Sequence, residues 1–266
     1  MRVELVGLGY WGTKMKRVIE ELGHDVCPLG RGDVPPEGFD AEACVITTPP
    51  STHADIAIRA MKRGLDVLIE KPMALNVEDA TKIENAAHMY GRVVSVDSTW
   101  LHTQAFEYIK ELDEPLIFYQ SLRMAPHIKF YKTSVIWDAM AHDLAILSAL
   151  HAVSWSGKPV AVQSYDAAIA YVPLFIGGNA FITVSRDWPM KYRQIQMRFA
   201  NGTSLYWDDD QLYQGGKLIL SEKHETLKRM FKDFERRCKN RERSGLTDAL
   251  HGLGVVSWLE KMLPLN

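Results

Sequence analysis

Little in this chain would tie it to an oxidising compartment, a bilayer or a polyanion. It has three cysteines in 266 residues, Cys27, Cys44 and Cys238. Their number is odd, they lie far apart and no CxxC occurs, so neither a disulfide framework nor a zinc knuckle is expected, and a reducing, cytoplasmic setting is. No apolar run approaches the eighteen or so residues of a membrane span. The first residues read as a strand followed at once by glycines, so no signal peptide is expected. A formal net charge of −2 gives no global field for nucleic acid or anionic lipid. The one basic run, Lys228 to Lys239, carries Met230, Phe231, Phe234 and Cys238 at helical spacing and is diluted by Asp233 and Glu235. It reads as an amphipathic packing helix.

The first half alternates strand and helix patterns with short loops. Strand-like runs fall at Val3–Val6, Asp25–Leu29, Ala43–Ile46, Asp66–Ile69 and Arg92–Val96, with helical stripes over Lys14–Leu22, His53–Arg63 and Val77–Tyr90 between them. That order predicts an α/β, doubly wound parallel sheet of the Rossmann kind over residues 1–98. Residues 99–266 read as a separate α+β domain with an open, mostly antiparallel sheet. Its strand-like runs are 116–124, 160–170, 180–187, 193–199, 204–207 and 217–220, with Asn201-Gly202 as a hairpin turn. Helices are expected over 135–149, 225–240 and 247–262, the last packing back on the first domain. Aromatic residues at Phe118-Tyr119, Trp188 and Tyr206-Trp207 suit a sheet core or a subunit interface, and an exposed sheet of this kind favours a homo-oligomer.

Gly7-Leu8-Gly9-Tyr10-Trp11-Gly12 is GxGxxG directly after a strand and at the head of a helix. Gly7 permits the tight turn, Gly9 the approach of a pyrophosphate, and Gly12 close helix–strand packing, while the helix terminus offers N–H groups to phosphate. The residues expected at a dinucleotide are therefore Gly7, Gly9, Tyr10, Trp11 and Gly12. An acidic ribose-binding residue normally ends the second strand, but Leu29-Gly30-Arg31-Gly32 stands there, and Asp33 comes three residues late. Arg31 could pair with a 2′-phosphate, so the sequence favours NADP over NAD.

Two further features carry chemistry. Lys71, in Glu70-Lys71-Pro72, ends an apolar strand, where ligands of open α/β sheets bind. Its ammonium could stabilise charge on a substrate oxygen. Asp138 and His142 stand four apart in a helical stretch, on one face, and histidine suits general-base work near neutrality. No third and fourth ligand lie at metal-binding spacing, so no metal is expected. His102, Arg123 and His127 are candidate substrate-pocket residues.

The segments Gly7–Gly12, Ile46–His53 (ITTPPSTH), Ile69–Leu75 (IEKPMAL) and Trp137–Asp143 (WDAMAHD), in this order, resemble the glucose–fructose oxidoreductase / inositol dehydrogenase (Gfo/Idh/MocA) family. The resemblance implies an NAD(P)-dependent dehydrogenase that oxidises a secondary alcohol of a sugar, nucleotide sugar or cyclitol. It implies Lys71 in contact with substrate and nicotinamide, Asp138 and His142 as the paired acid and base, and Thr48, Pro49, His53 and Glu70 beside the cofactor, with Lys71–Pro72 often cis. The partner implied is a small polyol or sugar, not nucleic acid or membrane. Open alternatives are a reductase of an imine, aldehyde or bilin-like compound on the same fold, and a dinucleotide-sensing protein without turnover. The chain departs from the family in the missing ribose acid and in a 30–40 segment too short for a second crossover helix. It also lacks an arginine within Thr99–His102.

Overall fold

Buried strands separated by amphipathic helices need helices on both faces to be covered, and the computed structural model arranges them so. It describes residues 1–126, 133–152, 158–164, 166–175, 177–223 and 225–263. Strands β1 (Arg2–Val6), β2 (Asp25–Leu29), β3 (Ala43–Ile46), β4 (Asp66–Glu70) and β5 (Val94–Asp97) form a parallel sheet in the order β2-β1-β3-β4-β5. The order reverses between β1 and β3, and that switch point is where an open α/β sheet leaves a crevice. β2 lies at the edge, which tolerates Pro28.

One face of this sheet presents Val3, Leu5, Ala43, Val45 and Leu68 to α1 (Tyr10–Glu21) through Met15 and Ile19. The same cluster takes Met230, Phe231, Phe234 and Cys238 from α6 (Thr226–Asn240). Helices α2 (His53–Lys62) and α3 (Val77–Tyr90) pack together on the other face. Glu4 is buried there and accepts two hydrogen bonds from Arg63, at 2.9 and 2.5 Å. Asn76 caps α3 by accepting from Asp79 N–H at 2.7 Å, and Gly91 closes it with φ +60°.

The chain divides into two compact units, 1–102 with 225–256, and 103–224 with 257–266. A boundary at Ser98 assigns 225–240 to the second domain; the structure groups them with the first. The apolar stripe of α6 completes the core under β1 and β3, which sequence periodicity cannot reveal because it gives a stripe without its target. The boundary between the units falls within α7 (Ala249–Lys261). In its first-unit half, Gly252 packs so closely on Met73 and Val96 that a Cβ would stand 2.8 Å from each.

The second unit holds α4 (Gln104–Glu111), β6 (Leu116–Met124), α5 (Ala141–Ala149), β7 (Val160–Ser164), β8 (Ala167–Pro173), β9 (Asn179–Ser185), β10 (Tyr192–Phe199), β11 (Ser204–Asp208), β12 (Gln211–Gln214) and β13 (Lys217–Ser221). The sheet order is β13-β12-β11-β10-β6-β9-β8-β7, parallel only at β6–β9. The run 160–170 is two hairpin strands, β7 and β8. α4, capped by Thr103 accepting from Phe106 N–H, and the short β12 add to the expected elements. Alternate residues bury Tyr119, Ile182, Val184, Ile195 and Trp207 on one face. The other face carries Val162, Ile169, Phe181, Tyr171, Phe118, Tyr206 and Tyr213, with ring pairs Phe118–Phe181 and Tyr206–Tyr213.

Candidate active site

In the first unit the site is built from backbone. Gly7 has φ +101°, and a Cβ on it would stand 2.9 Å from Thr47 C and Thr48 N. A Cβ on Gly12 would lie 2.0 Å from Gly7 O, so only glycine lets α1 start this close to β1. Gly9 faces open space, and no side chain caps α1. The three positions therefore fit a diphosphate: a turn only glycine makes, a contact only glycine allows, and unobstructed N–H groups at a helix start. Thr47, which the motif does not flag, donates to Gly7 O at 2.7 Å and fixes this turn to the end of β3. The exposed Tyr10 ring packs edge-on against Trp11, with Lys14 Nζ 4.1 Å from its centroid. Arg31 is exposed in the loop after β2.

The Thr48 turn and the Lys71 turn are joined by His53, which is fully buried. Its Nε2 lies 2.8 Å from Thr48 O and its Nδ1 3.0 Å from Pro72 O. His53 is expected beside the cofactor; with 0% exposure its ring presents no surface of its own and instead joins the two turns through their carbonyls. A neutral ring donates to one of the two carbonyls and an imidazolium to both. Burial pushes the His53 pKa down, against the upward pull of the carbonyls of Thr48, Pro72 and Met73. Thr48 accepts from the Thr52 hydroxyl at 2.8 Å, and Pro49 is exposed at the tip of the turn.

Lys71 follows β4, half-buried, and its peptide bond to Pro72 is cis. Glu70 accepts from Lys71 N–H at 2.9 Å and pairs in register with Asp97 on β5. Asp97, buried beside Glu70, is not among the residues expected from sequence. Burial raises its pKa to about 6, opposed by a hydrogen bond with Glu70 and by the Lys71 charge. His102 is not a pocket residue in the sense expected. It is buried in the segment that packs on α6, and burial lowers its pKa to about 4, with Asp233 raising it and Arg237 lowering it.

In the second unit Asp138 and His142 are both half-buried. The helix carrying them is irregular: Ile136–Met140 is a π turn, and α5 starts at Ala141. The wider i→i+5 turn changes how the two side chains face, compared with the α-helix that the spacing implied. Asp138 lies 3.9 Å from Arg186 Nη1, and Arg186 also donates to Asp166 at 2.7 Å and to Thr133 O at 2.8 Å. Next to His142, Asp143 is fully buried and accepts from Tyr119 Oη and Arg123 Nε, each at 2.5 Å. Burial among these charges raises the Tyr119 pKa well above its ordinary value. Arg123, a candidate pocket residue, thus anchors α5 to β6 through Asp143. His127 lies outside the described residues.

No group of three or more metal-ligating side chains occurs among the described residues, and no helix there is long and apolar enough to cross a membrane. The three cysteines are free and buried.

A parallel sheet with a glycine turn at its switch point and a lysine just after β4 has the form of a Rossmann dinucleotide-binding fold. Residues 31–98 match the family model described as "Oxidoreductase family, NAD-binding Rossmann fold" of the Gfo/Idh/MocA group. The chain is 29% identical over 154 residues to UDP-N-acetylglucosamine 3-dehydrogenase of Acidithiobacillus ferrooxidans, covering 55% of this chain and 49% of that one. It is 26% identical over 206 residues to scyllo-inositol 2-dehydrogenase (NAD(+)) of Bacillus subtilis, covering 69% and 55%. The matches thus span about half the length of these relatives. A solved structure of the Acidithiobacillus enzyme superposes with a TM-score of 0.88 at 22% identity, over 98% of this chain and 96% of that one. Residues 31–98 thus match the Gfo/Idh/MocA oxidoreductase family, and the whole chain shares the fold of a solved relative.

Proposed function

We propose that this protein oxidises a secondary alcohol of a sugar, nucleotide sugar or cyclitol, using a nicotinamide dinucleotide seated on the Gly7–Gly12 turn. The observation that carries this reading is the cradle at Gly7 and Gly12, backbone space that any Cβ would fill, on the sheet whose β4 leads directly into Lys71. The nicotinamide, when bound, accepts the hydride that leaves the carbinol carbon. Lys71 donates a hydrogen bond to the substrate oxygen and stabilises charge that grows there as the C–H bond breaks. His142 takes the hydroxyl proton, so the carbinol loses one hydride and one proton and becomes a carbonyl. Asp138, held by Arg186, orients and supports the imidazolium. General-base transfer contributes on the order of 10²–10⁴-fold, and positioning supplies the remainder. The relatives named for nucleotide-sugar and inositol oxidation support the substrate class. The exposed apolar residues Val162, Ile169 and Phe181 support a homo-oligomer that pairs this sheet face with a second copy.

The test is a panel of cyclitols, sugars and nucleotide sugars read by the absorbance of reduced nicotinamide. Turnover on one class, lost in Lys71→Ala with dinucleotide binding retained, supports the reading. Turnover unchanged in Lys71→Ala contradicts the assignment, and binding without turnover on any compound points to a sensor instead. Reduction of an imine or aldehyde with no polyol oxidation would point to the reductase alternative.

A further inference from the structure

We infer that Arg186 is a positioning residue of the proposed reaction, and that Asp166, by holding Arg186, sets how much of the Asp138 charge reaches the His142 imidazole. The inference rests on the roles proposed above for Asp138 and His142 and adds to them the pair that tunes the base.

The antiparallel ladder between β8 and β9 pairs Ala167 with Ser185, so the next residue outward on each strand, Asp166 and Arg186, meet beyond its end. They are joined twice. Arg186 N–H donates to Asp166 O at 2.8 Å, and Arg186 Nη2 donates to Asp166 Oδ1 at 2.7 Å. Nη1 donates to Thr133 O at 2.8 Å, just ahead of the π turn. β9 packs on that turn, and there the same Nη1 stands 3.9 Å from Asp138 Oδ2. Arg186 is buried, with 8% exposure, so its charge depends on these partners in place of water. One side chain therefore ties together the β7–β8 turn, the approach to the helix that carries His142, and Asp138.

The sharing is unequal. A contact of 2.7 Å is a charge-assisted hydrogen bond, whereas 3.9 Å is an ion pair beyond hydrogen-bond length. Asp166 thus takes the larger part of the guanidinium charge, and Asp138 keeps negative charge to offer an imidazolium. The described elements bring to this helix the titratable and charged groups Asp143 on α5 itself, Tyr119 and Arg123 from β6, and Asp166 and Arg186 from the ends of β8 and β9, with Asp187 exposed beside them. Asp143 is matched by Arg123. That leaves two carboxylates, Asp138 and Asp166, on one guanidinium, a net negative charge beside the proposed base. Proton abstraction makes the imidazole positive, and this surplus stabilises it.

The test is the pH profile of kcat/KM for the full chain on the best substrate of the panel. The imidazole must be neutral to accept a proton, so activity rises with pH through its midpoint. Arg186→Gln removes the positive charge and should move that midpoint up by about 0.5 pH unit. Asp166→Asn keeps an oxygen for Nη2 but removes the competing charge, and should move the midpoint down by about 0.5 pH unit. Arg186→Lys restores the charge without the fork, so the midpoint should lie within about 0.2 pH unit of the parent while kcat stays about tenfold lower. In an Asp138→Asn background Asp166→Asn should shift the midpoint by less than about 0.2 pH unit, because its effect passes through the Asp138 carboxylate. Asp166→Asn leaves the main-chain bond to Arg186 intact, so it serves where Arg186→Gln fails to fold. Midpoints that Arg186→Gln and Asp166→Asn leave unmoved, or move in the same direction, would overturn the inference, as would an Asp166→Asn shift that survives Asp138→Asn. A rising limb that persists in His142→Ala would overturn the general-base reading itself, and this inference with it.

Discussion

The two units hold their candidate functional residues by different means. In the first, the phosphate cradle is backbone: a positive φ at Gly7, a forbidden Cβ at Gly12 and a threonine hydroxyl that ties the turn to β3. In the second, Asp138 and His142 sit on a π turn and the helix after it, held in place by charged side chains from elsewhere in the unit, Arg186 on Asp138 and Arg123 with Tyr119 on Asp143. A backbone site depends on what is absent at a few positions. A site held by buried charges depends on partners that the local sequence does not name, and losing one partner strands the other.

The largest effect should come from that dependence. Asp143→Asn leaves Arg123 charged, buried and short of its carboxylate, and should cost about 3–5 kcal/mol of stability, measured by urea unfolding. If dinucleotide binding by the folded variant survives, the two halves are energetically separable as the comparison holds. Next is the backbone half. Gly12→Ala places a Cβ where Gly7 O stands, and it should weaken dinucleotide binding on the order of 100-fold, about 2.7 kcal/mol, measured by fluorescence titration. An unchanged affinity would mean that the cradle is not the binding site.

His53 lies between these extremes, a side chain serving backbone turns. His53→Ala removes the ring from the carbonyls of Thr48 and Pro72 and should cost about 1–3 kcal/mol. It should also lower kcat more than it raises KM, because Lys71 loses its support while the substrate contacts remain; a KM effect alone would place His53 elsewhere in the account. The smallest effect is one of pH. Asp97 has a folded pKa of about 6 against an ordinary 3.8. Between those values the folded chain holds a proton that the unfolded chain has released, so stability falls as pH rises through this window and the cost is complete above about pH 6. Asp97→Asn removes that slope. Its stability relative to the parent should be flat below pH 4 and climb by on the order of 1 kcal/mol per pH unit up to pH 6, measured by unfolding at each pH.

The parallel sheet and its glycine turn were legible in the sequence because their causes are local. Continuous apolar runs, helical stripes and glycine spacing each encode a steric requirement at the residue that bears it, and Asn76 and Gly91 mark the ends of α3 in the same way. The remainder depends on residues distant in sequence. Nothing in the stripe of α6 says that it covers β1 and β3. Four-residue spacing between Asp138 and His142 does not reveal a π turn, nor the reach of Arg186 from the end of β9. His53 looked like a cofactor contact because it sits beside the right turn; only its burial separates a positioning residue from a binding one.

In the proposed reaction the ammonium of Lys71 and the imidazole of His142 serve one substrate oxygen. A double-mutant cycle on kcat/KM, with Lys71→Ala, His142→Ala and the combined variant measured on the best substrate of the panel, tests this shared role directly. Groups that serve the same transition state are strongly non-additive, so the combined variant should be little slower than the slower single one. Losses that multiply independently across the cycle would contradict the claim.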